Sequence, residues 1–495
     1  MKSSMVEHCE LRHDVYHDSV VLMRATNYLR ALDGIDECLV AMATELNRRL
    51  LDDLGFASEP IKPNSTSGLI VAIRADSQDV IDHAIKELNV TLGSRATSGS
   101  VGKEVHAHRS LGAAVWEAKA NLAIISLPGP HAVPEAADAL RSGANVMVFS
   151  DGVSIKEERE LKSLAASRGL LVMGPDCGTA RLGGIGLGFC NDLDSGEIGI
   201  VAASGTGAQH LSCLLSARGM GISSIIGVGG RDMSDEIGGT STIQGLRMLD
   251  EDPTTTHIVV VSKSPGNKTA RRLDNIIKSL KTPITIGFLG DAEVDLTKVA
   301  REIASVRGMP FDATRSQLSG EASTSGPLVG LFCGGSLAVE ASQIIADALG
   351  PVDSFDAFER LAPASIADHH GNVILDLGDD RMTVGRPHPM VDATIRREII
   401  EELASNSAPR LLFIDLVLGL CADADPAGAI ANALYDFRRS HSEARVVASL
   451  VGTPRDPQGL EEQWRTLVDL GCDVYESNAE AASAVVQALC DRAGA

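Results

Sequence analysis

Two short glycine turns are the segments of this chain best suited to chemistry on an anion. The first, ASGTGAQ (203–209), follows the apolar run IGIVA and precedes Leu211, Leu214 and Leu215 at helical spacing. The second, CGGSLAVE (333–340), follows LVGLF and precedes Leu337, Ala341, Ile344 and Ile345. Each reads as strand, glycine turn, helix N-terminus. The first turn of a helix has unpaired N–H groups and the positive end of the helix dipole, so a phosphate or carboxylate is favoured there. The candidate phosphate-binding residues are Ser204, Gly205, Thr206 and Gly207 in the first turn, and Gly334, Gly335 and Ser336 in the second. One such turn is common packing hardware in α/β proteins. Two in separate halves of one chain predict a shared anion site.

Two charged loops offer substrate contacts. GVGGRDMSDEIGG (227–239) sets Arg231, Asp232, Asp235 and Glu236 among glycines. Gly229 and Gly230 let a ligand approach the backbone, Arg231 can fork onto a carboxylate or phosphate, and Asp232 and Asp235 can orient an amide or a cation. The competing reading is a solvated connector. In DLGDDRMTVGRPHPMVD (376–392), Arg386 and His388 are held by Pro387 and Pro389, which stiffen the backbone. Arg231, Arg386 and His388 are therefore the candidate catalytic residues, with a rigid surface loop as the alternative for the last two. Asp176 and Cys177, in GPDCGTA after a strand, join the substrate-binding set; packing is the plainer role for both Cys177 and Cys333. Asp423 and Asp425 read as a helix start before Pro426 rather than a metal site. The pairs His106 with His108 and His369 with His370 lack the third ligand of a zinc motif, so no metal is expected.

The elements that must position these residues repeat one pattern. At 495 residues the chain has room for about three or four domains. Its composition, 44% hydrophobic and 22% charged, suits ordinary globular cores. Aromatic content of 3% and a net charge of -22 argue against nucleic-acid and anionic-membrane binding. No apolar run is long enough to span a bilayer. Nine scattered cysteines without a CxxC pair, and a polar N-terminus, point to the cytoplasm. The expected fold class is α/β: a small α+β domain of ferredoxin-like type over 1–100, a Rossmann-like domain over 101–194, and two further strand–helix domains over 195–322 and 327–495. In the first, RHDVYHD is expected to be a strand and DSQDVIDHAIKEL a helix. In the rest, alternating apolar strands and helical crossovers predict parallel, doubly wound sheets.

Taken together, GPDCGTA, ASGTGAQ, GVGGRDMSDEIGG, CGGSLAVE and GRPHPM resemble the FdrA family of the succinyl-CoA synthetase-like superfamily, from YHDSVVLM near residue 16 onward. The resemblance implies a CoA-binding-type Rossmann-like domain followed by two flavodoxin-like ligase domains, and places 204–207 and 334–336 at two helix ends facing a shuttled phosphate. It also exposes departures. The segment matching the ligases' phosphohistidine loop, ITIGFLGDAEVDLTK, contains no histidine, and VVVSKSPG offers Lys263 where the ligases carry a glutamate. No stretch suggests an ATP-grasp module. FdrA-type proteins are implicated in oxamate carbamoyl transfer in purine (allantoin) breakdown, so the resemblance implies a carbamoyltransferase subunit with carbamoyl phosphate as substrate, CoA as a possible cofactor, and homo-oligomers or partner subunits. An NDP-forming acyl-CoA ligase and a non-catalytic ligand-binding scaffold are the alternatives.

Overall fold

A computed structural model of the chain describes residues 5–12, 15, 19–30, 32, 34–43, 47–48, 50–51, 54–56, 68–93, 108–290, 293–319, 327–354, 366, 371–379, 381–383, 386–405 and 411–490. The chain divides into two units, one of Met1–Ala107 with Val384–Pro387, the other of His108–Thr383 with His388–Ala495.

The first unit is a small α+β domain. Strands β1 (Val6–Arg12), β2 (Ile35–Met42) and β3 (Leu69–Ala75) form an antiparallel sheet in the order β1-β3-β2, with helices α1 (Ser19–Arg30) and α2 (Gln78–Gly93). Central β3 is buried on both faces. Val71 and Ile73 meet Leu22, Leu29, Ile81 and Leu88 from the helices, while Ile70 and Ala72 pack with Leu51 and Phe56. The first strand ends at Arg12, so it lies N-terminal to the RHDVYHD segment expected to form it. Most of that segment falls outside the described residues.

Among the described residues the second unit contains three sheets. The first is a parallel trio in the order β4-β5-β6, comprising β4 (Leu122–Ile125), β5 (Asn145–Val148) and β6 (Val172–Met173). Its helices are α3 (Leu111–Ala118), α4 (Gly129–Arg141) and α5 (Ile155–Ser167). A capping box starts α5, with Ser154 and Glu157 satisfying each other's backbone N–H.

The next sheet contains β7 (Thr179–Leu182), β8 (Ile185–Gly188), β9 (Ser195–Ala202), β10 (Ile222–Gly227), β11 (His257–Lys263) and β12 (Ile284–Leu289), in the order β12-β11-β9-β10-β7-β8. Strands β9 to β12 are parallel, crossed over by α6 (Gly205–Ser216), α7 (Thr240–Glu251), α8 (Asn267–Ile277) and, after β12, followed by α9 (Leu296–Val306). The antiparallel hairpin β7–β8 closes one edge.

The last sheet comprises β13 (Ser316–Gln317), β14 (Leu328–Phe332), β15 (Val373–Asp376), β16 (Leu411–Val417), β17 (Val446–Val451) and β18 (Asp473–Tyr475), in the order β13-β18-β17-β16-β14-β15. Its helices are α10 (Gly335–Leu349), α11 (Thr394–Ser405), α12 (Pro426–Ser440), α13 (Leu460–Asp469) and α14 (Asn478–Cys490). Strands such as LLFIDLV read as continuous apolar runs because a parallel sheet covered by helices buries both faces.

Sheet order explains why the glycine turns matter. From β9 the chain goes to β10 on one side, and β11 then pairs on the other. From β14 it goes to β15 on one side, and β16 pairs on the other. Both glycine turns therefore leave strands at which the winding reverses. Adjacent crossovers there lie on opposite faces and open a crevice at the strands' carboxyl ends. Among the described residues no helix is long and apolar enough to cross a membrane.

Candidate functional site

The helix ends α6 and α10 meet. Ser204 caps α6, its side chain accepting from Gly207 N–H, and its Oγ lies 2.5 Å from the Oγ of Ser336 on α10. Gly334 sits so close to Thr206 that a β-carbon on it would come within 2.9 Å of the threonine side chain. The seven residues expected to bind phosphate are thus one cluster. Its amides are not equivalent. Gly207 N–H is used by Ser204, and the N–H groups of Cys333 and Gly334 donate to Asp415 at 2.7 and 2.9 Å. The amides of Gly205, Thr206, Gly335, Ser336 and Leu337 have no acceptor among the described residues, and the first four, the outermost two of each helix, are the donors nearest a ligand.

Asp415, fully buried on β16, also accepts from Arg396 at 2.8 Å, and the buried guanidinium offsets the carboxylate beneath the second turn. Neither residue was conspicuous in the sequence. Asp376 is the other carboxylate of the site. It ends β15 in register with Phe332, takes a 3.0 Å bond from Gly378 N–H, and lies against Gly335, where a β-carbon would come 2.3 Å from its Oδ2. Burial pushes its pKa up to about 7, while the Gly378 amide pulls it down; Asp379 and Asp415 push up and Lys263 pulls down. Lys263, exposed at the end of β11, thus faces Asp376 and Asp379.

His388 reaches this cluster. A β-carbon on Gly378 would come 2.6 Å from its Nε2 and 2.8 Å from the carbonyl of Cys333, and its ring lies 5.8 Å from that of Phe189. Met390 N–H donates to His388 Nδ1 at 3.2 Å, so the neutral ring carries its proton on Nε2. Burial, with Arg396 nearby, pulls its pKa down to about 4, so it is neutral at physiological pH. Arg386 is exposed and belongs to the first unit. Asp380, His106, His369 and His370 lie outside the described residues.

The loop 227–239 has a different character from the one its glycines and charges suggest. Asp232 is completely buried and accepts from Ser241 N–H, Thr242 N–H, Thr242 Oγ1 and Lys162 Nζ, capping α7. Asp235 accepts from the N–H groups of Lys268 and Thr269 and caps α8. Arg231 pairs with Glu158 at 2.9 Å and donates to the carbonyl of Val153 at 2.8 Å, both outside its own loop. Protein groups thus hold all three side chains, Asp232 in the interior and Arg231 and Asp235 at the surface.

Gly229 packs on the GPDC loop, where a β-carbon would come 2.3 Å from the carbonyl of Pro175; Gly230 is exposed and uncrowded. Cys177 is buried with its thiol directed at the carbonyls of Gly227 and Thr179, and burial pushes its pKa up to about 12, which leaves no thiolate for attack. Asp176 is exposed with φ 56°. Thr179 connects the two regions, lying against Gly227 and, through Oγ1, 3.1 Å from a β-carbon placed on Gly205. Asp425 caps α12 through Gly428 N–H. Among the described residues no group of three His, Cys, Asp or Glu is arranged to hold a metal ion.

Comparison with known proteins places this geometry in a family. Residues 5–108 match the family model described as the AllF heavy metal-associated domain, and residues 331–488 match the CoA-ligase model. An uncharacterized protein, YahF of Escherichia coli K12, is 33% identical over 501 residues, covering 94% of this chain and 96% of that one. The ADP-forming succinate–CoA ligase subunit alpha 2 of Archaeoglobus fulgidus is 29% identical over 200 residues, 39% of this chain and 68% of the relative. Among solved structures, the dinucleotide-forming acetyl-coenzyme A synthetase 1 of Ca. Korarchaeum cryptofilum, in complex with phosphate and ADP, aligns with 74% of this chain and 82% of its own at 18% identity and a TM-score of 0.30. The chain belongs to the FdrA family, a branch of the succinyl-CoA synthetase-like superfamily.

Proposed function

We propose that this protein moves a carbamoyl group between carbamoyl phosphate and a small amide or carboxylate acceptor such as oxamate, as one subunit of a cytoplasmic enzyme of purine degradation. The observation that carries this reading is the meeting of α6 and α10 at the Ser204–Ser336 contact, with the outermost two amides of each helix left over around it. Those amides suit the phosphate of an acyl phosphate, whose charge grows as the carbon–oxygen bond breaks. Donors aimed at developing charge in a partly buried site are the strongest lever available to such a reaction. Lys263 supplies a cation at the rim. Carbamoyl phosphate is already activated, so no phosphohistidine is required, in keeping with the absence of histidine from 284–298. The neutral His388 offers Nε2–H to a carbonyl or phosphoryl oxygen. The match to the AllF domain supports the FdrA branch rather than a housekeeping ligase.

The competing activity is acyl-CoA ligation, favoured by the CoA-ligase match over 331–488 and by the succinate–CoA ligase relative. In that reading the same amides hold inorganic phosphate and the Rossmann-like sheet holds CoA. One experiment separates the two. The purified chain, alone and with co-expressed partner subunits, is incubated with carbamoyl phosphate and oxamate, and separately with succinate, CoA and ATP. Phosphate release that depends on oxamate is the expected result. Thioester formation that depends on CoA and nucleotide, without oxamate-dependent release, overturns it.

A further inference from the structure

We propose that Asp376 is the catalytic base of the transfer, taking the proton that the acceptor nitrogen loses as it bonds to the carbamoyl carbon. This rests on the carbamoyl-transfer reading above and names the group that reading leaves unassigned. Parallel pairing of β14 and β15 sets Asp376 opposite Phe332, at the strand end from which the second glycine turn departs. Its Oδ1 is fixed by Gly378 N–H at 3.0 Å, which leaves Oδ2 against Gly335 at the mouth of α10. Only glycine fits at 335, since a β-carbon would lie 2.3 Å from Oδ2. An acyl phosphate on the amides of Gly205, Thr206, Gly335 and Ser336 therefore places its carbonyl carbon, and the nitrogen attacking it, beside this oxygen.

The other candidates are excluded by their bonding. His388 accepts Met390 N–H on Nδ1 and carries a proton on Nε2, so it is a donor. Asp415 has both oxygens occupied by Cys333 N–H, Gly334 N–H and Arg396. Glu340, whose pKa burial raises to about 7, is completely enclosed and bonded to Leu296 N–H and Asn478. Ser204 and Ser336 bond each other. The charged and titratable groups around Asp376 are Asp379 in its own loop, Asp415 with its partner Arg396 on the neighbouring elements, Lys263 from β11, and neutral His388 beyond Gly378. With burial they bring the carboxyl to about 7, where it is both available and basic enough at neutral pH. In the step, the acceptor nitrogen forms a bond to the carbamoyl carbon, the carbon–oxygen bond to phosphate breaks, inorganic phosphate departs with that electron pair, and the N–H proton passes to Oδ2.

The test is oxamate-dependent phosphate release by the full-length protein with its partner subunits, measured from pH 5.5 to 9. In the wild type, kcat is expected to rise with pH through an inflection near 7. Asp376→Asn, whose amide oxygen still accepts from Gly378, is expected to lower kcat by roughly 100-fold or more, remove the inflection, and leave the KM for carbamoyl phosphate within about threefold. Lys263→Met, a change at an exposed position, is expected to move the inflection to higher pH because it removes a cation that favours the ionised carboxyl; this arm holds even where the asparagine variant fails to fold. Asp376→Asn that keeps its kcat and inflection, or Lys263→Met that leaves the inflection in place, overturns the assignment of the base while the transfer reading stands. A wild type that releases no phosphate in response to oxamate overturns both.

Discussion

Lys162 is the place where a single substitution should report most directly on what the 227–239 loop does. Its Nζ donates to Glu158 Oε1 at 2.8 Å, Asp232 Oδ1 at 2.7 Å and the carbonyl of Val228 at 2.9 Å, and all three charged side chains are 1% exposed or less. It thereby ties α5 to the loop before α7. Lys162→Met keeps the aliphatic stem and removes the cation. Breaking a buried ion pair by deleting one partner costs about 3–5 kcal/mol, because a charge stays buried without compensation. Here the loss should sit near the lower end. Asp232 keeps its bonds from Ser241 and Thr242, and Glu158 keeps Arg231. At about 2–4 °C per kcal/mol for a domain of 150–250 residues, that is roughly 6–12 °C off the first calorimetric transition. The triple variant carrying Lys162→Met, Glu158→Gln and Asp232→Asn should recover part of the loss, since neutral side chains bear less of the desolvation penalty. A Lys162→Met protein melting within about 1 °C of wild type would refute the claim that this loop is a structural latch.

Two further outcomes follow from the same contacts. Gly335→Ala should weaken phosphate binding at least about tenfold by calorimetry, because its β-carbon would meet Asp376 Oδ2 at 2.3 Å; Gly205→Ala, whose nearest neighbour is Thr179 Oγ1 at 3.1 Å, should stay within about threefold. Equal affinities in both variants would count against a phosphate site at α10. Iodoacetamide at pH 8 should label exposed Cys421 and Cys490 and spare Cys177, whose thiol is buried and pushed up to about 12; mass spectrometry finding label on Cys177 in the native protein would reverse that assignment.

What the sequence revealed and what it concealed follow the range of the interactions involved. The turns 203–209 and 333–340 were legible because strand, glycine and helix lie within a few residues of one another, and local periodicity carries each piece. The meeting of the two turns is a contact across 132 residues; the repeated turn pattern suggests a shared site, and only the folded chain shows it as Ser204 against Ser336. Lys162 was hidden for the opposite reason. In KEERELKS it looks like one more charge on a solvated helix face, and only Asp232, 70 residues away, makes it a core residue. The same pairing gives Asp232 an interior role that sequence conceals, because a string of charges among glycines reads alike whether it faces a ligand or anchors a neighbouring element. The hairpin β7–β8 is hidden because strands of only four residues, the second half glycine, carry no usable alternation. Asp376 combined both difficulties. It opens the charged loop 376–392, but as the last residue of VILD it resembles an ordinary polar strand end. Parallel pairing with β14 is what carries it to the glycine turn, so its chemistry is a product of register. Residues placed by register are those that a single sequence conceals best, and in a doubly wound fold the crevice between reversing crossovers is lined with them.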